Sequence, residues 1–165
     1  MRAQPSPLKL FDFSLLELQY SMLLQEEIHP DTDLLALFDQ YPIDVEFEQQ
    51  HSDNNHIELF IKVEVNLGRK PLPGLQLLGV GLAVFDIPDA ERLAPALLDN
   101  LRHFSTLSIC INCMRSEFSN ATANCPLGRY ILPSLDVGSL LVPQKAKTVK
   151  PVKKAHMKVS RNPRK

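Results

Sequence analysis

The chain has 165 residues, 44% of them hydrophobic and 22% charged, enough for one domain with a modest core plus a tail. No apolar run approaches the roughly 20 residues that a membrane span needs, and no basic start followed by an apolar block opens the chain. The expectation is therefore a cytoplasmic protein with no membrane insertion. The net charge of −1 hides a division: residues 1–142 hold 9 Lys or Arg against all 19 Asp or Glu, while residues 143–165 hold 9 Lys or Arg and no acid.

Residues 1–7 carry two prolines and are expected to fray. Over 10–24, Leu16, Leu18, Tyr20 and Met22 alternate with Glu17, Gln19 and Ser21, the period of a strand with one buried face. Fifteen residues is long for a strand, which predicts a bulge or bend near residues 14–16. Residues 25–41 read as a crossover broken by Pro30, in which Asp31 or Asp33 caps a short helical turn through Leu34, Leu35, Leu37 and Phe38. Apolar residues in a connection either plug the edge of a core or wall a groove for something apolar.

Residues 43–48 and 57–65 alternate cleanly, and the turn-forming residues 51–56 between them predict an antiparallel hairpin. Ile43, Val45, Phe47, Ile57, Leu59, Ile61, Val63 and Val65 share one face, whereas Asp44, Glu46, Glu48, Glu58 and Glu64 make the other acidic. After a proline-containing connection over 68–74, the fourth strand, 75–87, is apolar on both faces, and Gly79 and Gly81 permit a bend or a close approach. Two apolar faces in a domain with one helix imply a further layer from self-association.

Leu97, Leu101, Phe104, Ser108, Ile111 and Met114 recur at steps of three and four, the mark of a helix with one buried stripe. It is expected to start near Pro95, because Ala94 is pushed from helical angles by the proline after it. Leu107, Ile109, Ile111 and Cys113 also alternate as a strand would. Periodicity admits both, with helix the expectation. After Asn120, two prolines and two glycines rule out regular helix and predict an extended return leg through 141.

Read in order, these segments resemble the SecB family of protein-export chaperones over roughly residues 10–141. Leu35-Ala36-Leu37-Phe38-Asp39-Gln40-Tyr41-Pro42-Ile43-Asp44-Val45 is similar to the family's "Val-Phe-x-x-x-Trp-x-Pro-x-Val" at strand two. Val63-Glu64-Val65-Asn66-Leu67-Gly68 is similar to its "Val-Thr-Val-x-x-Leu-Gly". Val84-Phe85-Asp86-Ile87 is similar to its "Ile-Phe-x-Ile" before the helix. Arg115, then Tyr130-Ile131-Leu132-Pro133-Ser134-Leu135-Asp136-Val137 and Leu140, parallels its arginine and extended leg. The resemblance implies an α+β, SecB-like domain over 1–142, a four-stranded antiparallel sheet covered by one long C-terminal helix. It also implies a homotetramer built as a dimer of dimers with the helices inside. The work implied is ATP-independent binding of non-native polypeptides through apolar grooves.

Leu35, Phe38, Tyr41, Phe47, Phe60, Tyr130 and Leu132 are the expected client-binding residues, and ordinary core packing is the alternative for each. Two departures narrow the reading. Where the family places an acidic contact for the translocase motor SecA on the fourth strand, this chain has Gln76 and Leu78, which argues against a SecA contact. The family's C-terminal helix is also absent from the pattern, since Val142-Pro143 leads into the basic tail. Both departures fit a specialised SecB-like chaperone of a toxin–antitoxin system that shelters an antitoxin. A general export chaperone holding preproteins is the other reading, so the expected client is a non-native preprotein or antitoxin.

The tail, 143–165, is expected to be disordered. It is a solvated solubiliser, a segment attracted to the acidic body, or a contact for an anionic partner such as RNA, the ribosome or a membrane surface. The alternative function is accordingly an RNA- or ribosome-associated adaptor acting through this tail. No catalytic constellation, cofactor or metal site is expected. His29, His51, His56, His103 and His156 stand at no ligand spacing, and Gly79-Val80-Gly81 lacks the third glycine and basic residue of a phosphate loop. Cys110 and Cys113 form a C-x-x-C with Cys125 nearby, either a metal or redox site or small side chains packing a helix interface.

Overall fold

Residues 2–23, 33–52 and 55–142 are described in the computed structural model, without the side chains of Leu34 and Leu35. Leu24, the connection 25–32, the turn residues Asp53 and Asn54 and the basic tail lie outside them. The alternating segments form β1 (Lys9–Leu23), β2 (Ile43–His51), β3 (His56–Val65) and β4 (Gly74–Asp86). β2, β3 and β4 make an antiparallel meander, and β1 returns to the far side of β4, giving the sheet order β1-β4-β3-β2. Between β1 and β2, the short helix α1 (Leu34–Phe38) is capped by Asp33, whose carboxylate accepts from the Ala36 amide at 3.2 Å.

β1 is bulged at two places, between Leu10 and Asp12 and between Leu15 and Glu17. The second lies where the length of the strand demanded a break. Each bulge adds an unpaired residue and re-aims its neighbours, which leaves Phe11 and Leu16 67% and 55% exposed.

The covered face of the sheet holds Ile57, Leu59, Ile61, Val63 and Val65 of β3 with Leu75, Leu77, Ala83 and Phe85 of β4, all buried. Above it runs one 27-residue helical stretch: α2 (Pro95–Asn100), a π turn (Leu101–Ser105) and α3 (Thr106–Ala121). Pro95 sits in the first turn behind an extended Ala94, as the proline requires. The ambiguous run 107–113 is helical, because Leu107, Cys110, Ile111 and Met114 face the sheet at steps of three and four.

The stripe expected to be buried along this helix is corrected by the π turn. There the Thr106 amide reaches back to the carbonyl of Leu101, the Arg102 carbonyl accepts from the Thr106 hydroxyl at 2.6 Å, and Gln49 donates to that same carbonyl at 2.5 Å. One inserted residue rotates the faces against each other. Of the expected stripe Leu101, Ile111 and Met114 are buried, joined by Thr106, Leu107, Cys110 and Phe118, while Leu97 and Phe104 are each 44% exposed. The helix comes close to β4 because Gly79 has no side chain: a Cβ there would stand 2.2 Å from Met114 Cε and 2.7 Å from Phe118 Cε1.

The return leg is extended as far as Asp136. Its prolines bar a backbone ladder, so side chains of α3 hold it. Thr122 Oγ1 accepts from the Tyr130 amide at 2.9 Å, and Arg115 donates to the carbonyls of Leu132 and Pro133. The expectation of a non-helical chain through 141 is corrected at its end. Residues Val137–Leu141 form a helical turn, α4, capped by the Asp136 carboxylate on the Ser139 amide at 3.3 Å.

Candidate functional site

Two surfaces concentrate the features that the sequence singles out. The first is an aromatic cluster where α1, the sheet and the return leg meet. The Phe38 ring lies 5.5 Å from both the Tyr41 and Tyr130 rings, and Tyr41 and Tyr130 stack at 6.2 Å with 25° between their planes. Tyr41 is fixed by two hydrogen bonds: its hydroxyl donates to the Pro73 carbonyl at 2.9 Å and accepts from the Leu75 amide at 3.0 Å. That bridge requires Gly74, which has φ +107° and whose missing Cβ would lie 2.0 Å from the Tyr41 hydroxyl.

The Tyr130 hydroxyl is buried and has no hydrogen-bond partner among the described residues. Burial pushes the Tyr130 phenol well above its ordinary value, with smaller contributions from Tyr41 and Asp39. Burial raises Tyr41 as well, against the opposing hydrogen bond from the Leu75 amide. Both phenols are therefore neutral in an apolar setting, Tyr41 hydrogen-bonded and Tyr130, among the described residues, not.

Of the expected client-binding residues, Phe38, Tyr41 and Tyr130 come together in this cluster, and Leu132 is buried beside it on the leg. Phe47 is partly buried on the helix side of β2, and Phe60 is on the opposite face of the sheet. The Leu35 side chain lies outside the described residues.

The second surface is the face of the sheet that no described element covers. Register places four rows across it: Gln50-Glu58-Val84-Asp12, Glu48-Phe60-Leu82-Ser14, Glu46-Lys62-Val80-Glu17 and Asp44-Glu64-Leu78-Gln19. Leu78, Val80, Leu82 and Val84 form a partly exposed apolar stripe down β4 with Phe60 beside it, and carboxylates stand on both sides. Lys62 is drawn into this acidic field, bonded to Glu64 at 2.8 Å and 4.0 Å from Glu46. Its pKa is raised, chiefly by the Glu64 hydrogen bond. At the corner, His56 Nδ1 is 3.7 Å from Asp86, and its ring meets Phe11 edge-on.

The acidic face of the hairpin was legible from alternation. The stripe needs the pairing of β1 with β4, which no local pattern gives. The keystone Asn66 was also missed. It is buried at positive φ, donates to the carbonyls of Leu72 and Leu75 at 2.8 Å each, and accepts from the Leu72 amide at 2.7 Å. Its signal was the Asn before Leu67-Gly68, a residue that tolerates the left-handed region.

A cleft of about 340 Å³ opens between β2 and α2, lined by His51, Pro95, Leu98, Asp99, Arg102 and His103. The two imidazoles meet edge to face at 6.0 Å, and Asp99 lies 3.5 Å from His103. His51 is shifted below its ordinary value, first by burial and then by Arg102 and His103. No group of three or more potential metal ligands occurs among the described residues. Burial pushes the Cys110 thiol up to about 12 and raises Cys113 too, away from the thiolate form. No described helix is long and apolar enough to cross a membrane.

No family model matches the chain, and no curated protein matches it. Among solved structures, a protein of unknown function from Streptococcus agalactiae is similar at 12% identity and a TM-score of 0.46, covering 77% of this chain and 97% of that one. The chain is likewise similar, at 16% identity and a TM-score of 0.49 over 78% of its own length and 90% of the other, to the Mycobacterium tuberculosis SecB-like chaperone Rv1957, solved with a ChAD peptide from the HigA1 antitoxin.

Proposed function

We propose that this chain is an ATP-independent, SecB-like chaperone that holds non-native polypeptides by covering their apolar side chains with its own. The observation that carries the reading is uncovered apolar surface on ordered elements. Phe11, Leu16 and Tyr20 on the edge strand β1 are 55–67% exposed, and Ile131 on the return leg is 61% exposed. Large apolar side chains left in solvent on a strand and on the return leg are surface that a partner can cover. Each 100 Å² of it contributes about 2.5 kcal/mol when covered, before the cost of ordering a client, so several weak contacts together hold a long chain. The sequence resemblance over 10–141 points to the same occupation.

In this reading Phe38, Tyr41, Tyr130, Leu132 and Phe47, with Leu35, belong to a client groove on the helix side of the sheet, and Phe60 makes a separate client contact on the opposite face. Phe38, Tyr41, Tyr130 and Leu132 are buried in this structure, so their contact with a client requires the aromatic cluster to open. Part of the exposed surface is shared between subunits in a dimer of dimers, and the rest meets the client. The client is an antitoxin or a similarly aggregation-prone chain, because the fourth strand carries Gln76 and Leu78 where the family's contact for SecA is acidic.

The test is aggregation of a guanidinium-denatured enzyme after dilution, followed by light scattering without nucleotide. Full suppression at one tetramer per client is expected, with the protein eluting as a tetramer. A monomer that leaves aggregation unchanged overturns the reading. Co-expression with the antitoxin of a neighbouring toxin–antitoxin pair, which should keep that antitoxin soluble, separates a dedicated chaperone from a general one.

A further inference from the structure

We infer that the basic tail, residues 143–165, docks in cis on the uncovered face of its own sheet, over the β4 stripe. The chemistry of the two surfaces is complementary residue class by residue class. The stripe Leu78, Val80, Leu82 and Val84 is apolar and partly exposed, and the strands on either side of β4 present carboxylates to the same face. Lys62 is bonded to Glu64 and stands 4.0 Å from Glu46, and Asp44, Glu46 and Glu48 on β2 all remain exposed.

The tail has the opposite make-up. It holds 9 of the chain's 18 cationic residues and no acid, and Val149, Val152, Met157 and Val159 are interleaved with Lys150, Lys153, Lys154 and Lys158. A segment that is purely solvated has no need of those apolar side chains. One that contacts nucleic acid phosphates has a use for the lysines only. An apolar strip between rows of acid matches both kinds of residue at once.

Reach favours the same chain. The last described residue is Val142, just after α4, and 23 residues extend up to about 75 Å. That is more than is needed to round a domain about 40 Å across. Tethering supplies the tail at an effective concentration in the millimolar range, so a contact too weak to hold a free peptide is still populated. Docking also covers an apolar stripe on a sheet whose other face is already filled. A client rich in basic and apolar residues then has to displace the tail, which makes the tail a built-in competitor. The inference concerns the tail alone and stands or falls separately from client holding.

The experiment is zero-length carbodiimide cross-linking of the full chain at low salt, using an equal mixture of normal and nitrogen-15-labelled protein. The expected links join lysines of 145–165 to Glu17, Glu46, Glu48 or Glu58, with both peptides of one isotope, and their yield falls at least tenfold in 1 M NaCl as screening shortens to about 3 Å. Links spread equally onto Asp89, Glu91 and Asp99, links of mixed isotope, or no links from the tail overturn the inference. As a second measurement, the exposed-site variant Glu17→Gln/Glu46→Gln/Glu48→Gln should speed tryptic cleavage after residue 143 at least fivefold. An unchanged rate would mean that the tail lies elsewhere, on RNA or in solvent.

Discussion

The Nε of Arg115 donates to the carbonyl of Leu132 at 2.7 Å, while its Nη2 donates to the carbonyl of Pro133 at 3.0 Å. One planar guanidinium thereby fastens the return leg to α3 at a point where Leu132 is fully buried and Pro133 has no amide to offer. Arg115→Lys presents a single point donor and should lower stability by about 1–2 kcal/mol. Arg115→Ala, which strands the Leu132 carbonyl, should cost about 2–3 kcal/mol. Urea denaturation followed by far-ultraviolet circular dichroism reads this as a lower midpoint. A midpoint unchanged in Arg115→Ala would mean that Thr122 alone secures the leg.

Tyr41 makes a similar clasp at the start of β4. Tyr41→Phe keeps the ring stack on Tyr130 but leaves the Leu75 amide, a buried donor, without its partner, and should cost about 1–3 kcal/mol. Gly74→Ala forces a side chain into positive φ and into the space of the Tyr41 hydroxyl. Because both changes break the same bridge, the double variant should lose clearly less than the sum of the two single losses. Strict additivity would show that Gly74 acts through backbone angle alone.

The strands, the hairpin, the start of the helix at Pro95 and the second β1 bulge were legible because each is encoded within about ten residues, by alternation, turn chemistry or a proline. The π turn was not. It depends on Gln49, from another element, sharing the Arg102 carbonyl with Thr106, and a periodicity scan assumes that every turn has the same pitch. The helical turn α4 was hidden for a different reason. Its cap, Asp136 on Ser139, sits inside a proline- and glycine-rich stretch whose composition reads as extended. Among the candidate client residues, aromatic character was visible but side was not. Phe60 pairs with Glu48 and Leu82 and falls on the face away from Phe38, Tyr41 and Tyr130, and only the register reveals this.

The close approach of α3 to β4 gives a packing prediction. Gly79→Ala places a methyl 2.2 Å from Met114 Cε and 2.7 Å from Phe118 Cε1, so it should destabilise by about 1–3 kcal/mol through overpacking. Met114 is flexible and Phe118 is not. Combining Gly79→Ala with Met114→Ala should therefore recover part of the loss that the two single changes predict together. A double variant as unstable as their sum would place the clash on Phe118 instead.

The cleft between β2 and α2 makes stability depend on pH. Burial, Arg102 and His103 hold His51 below its ordinary value of 6.5, so the folded chain takes up a proton there less readily than the unfolded chain. Between the depressed folded value and 6.5, unfolding binds a proton. The contribution of neutral His51 is therefore complete above the unfolded value and is lost as the pH falls through 6.5 towards the folded one. The groups around it are Arg102 and His103 from the helix, with Asp99 beside His103. Protonation puts a second cation beside Arg102, against the π turn that Gln49 anchors from the same strand. Thermal midpoints measured at about pH 7.5 and about pH 5.5 should fall more for the natural chain than for His51→Asn, which cannot take up the proton. Equal falls in the two chains would mean that another group governs acid sensitivity and that the imidazole pair is a passive contact.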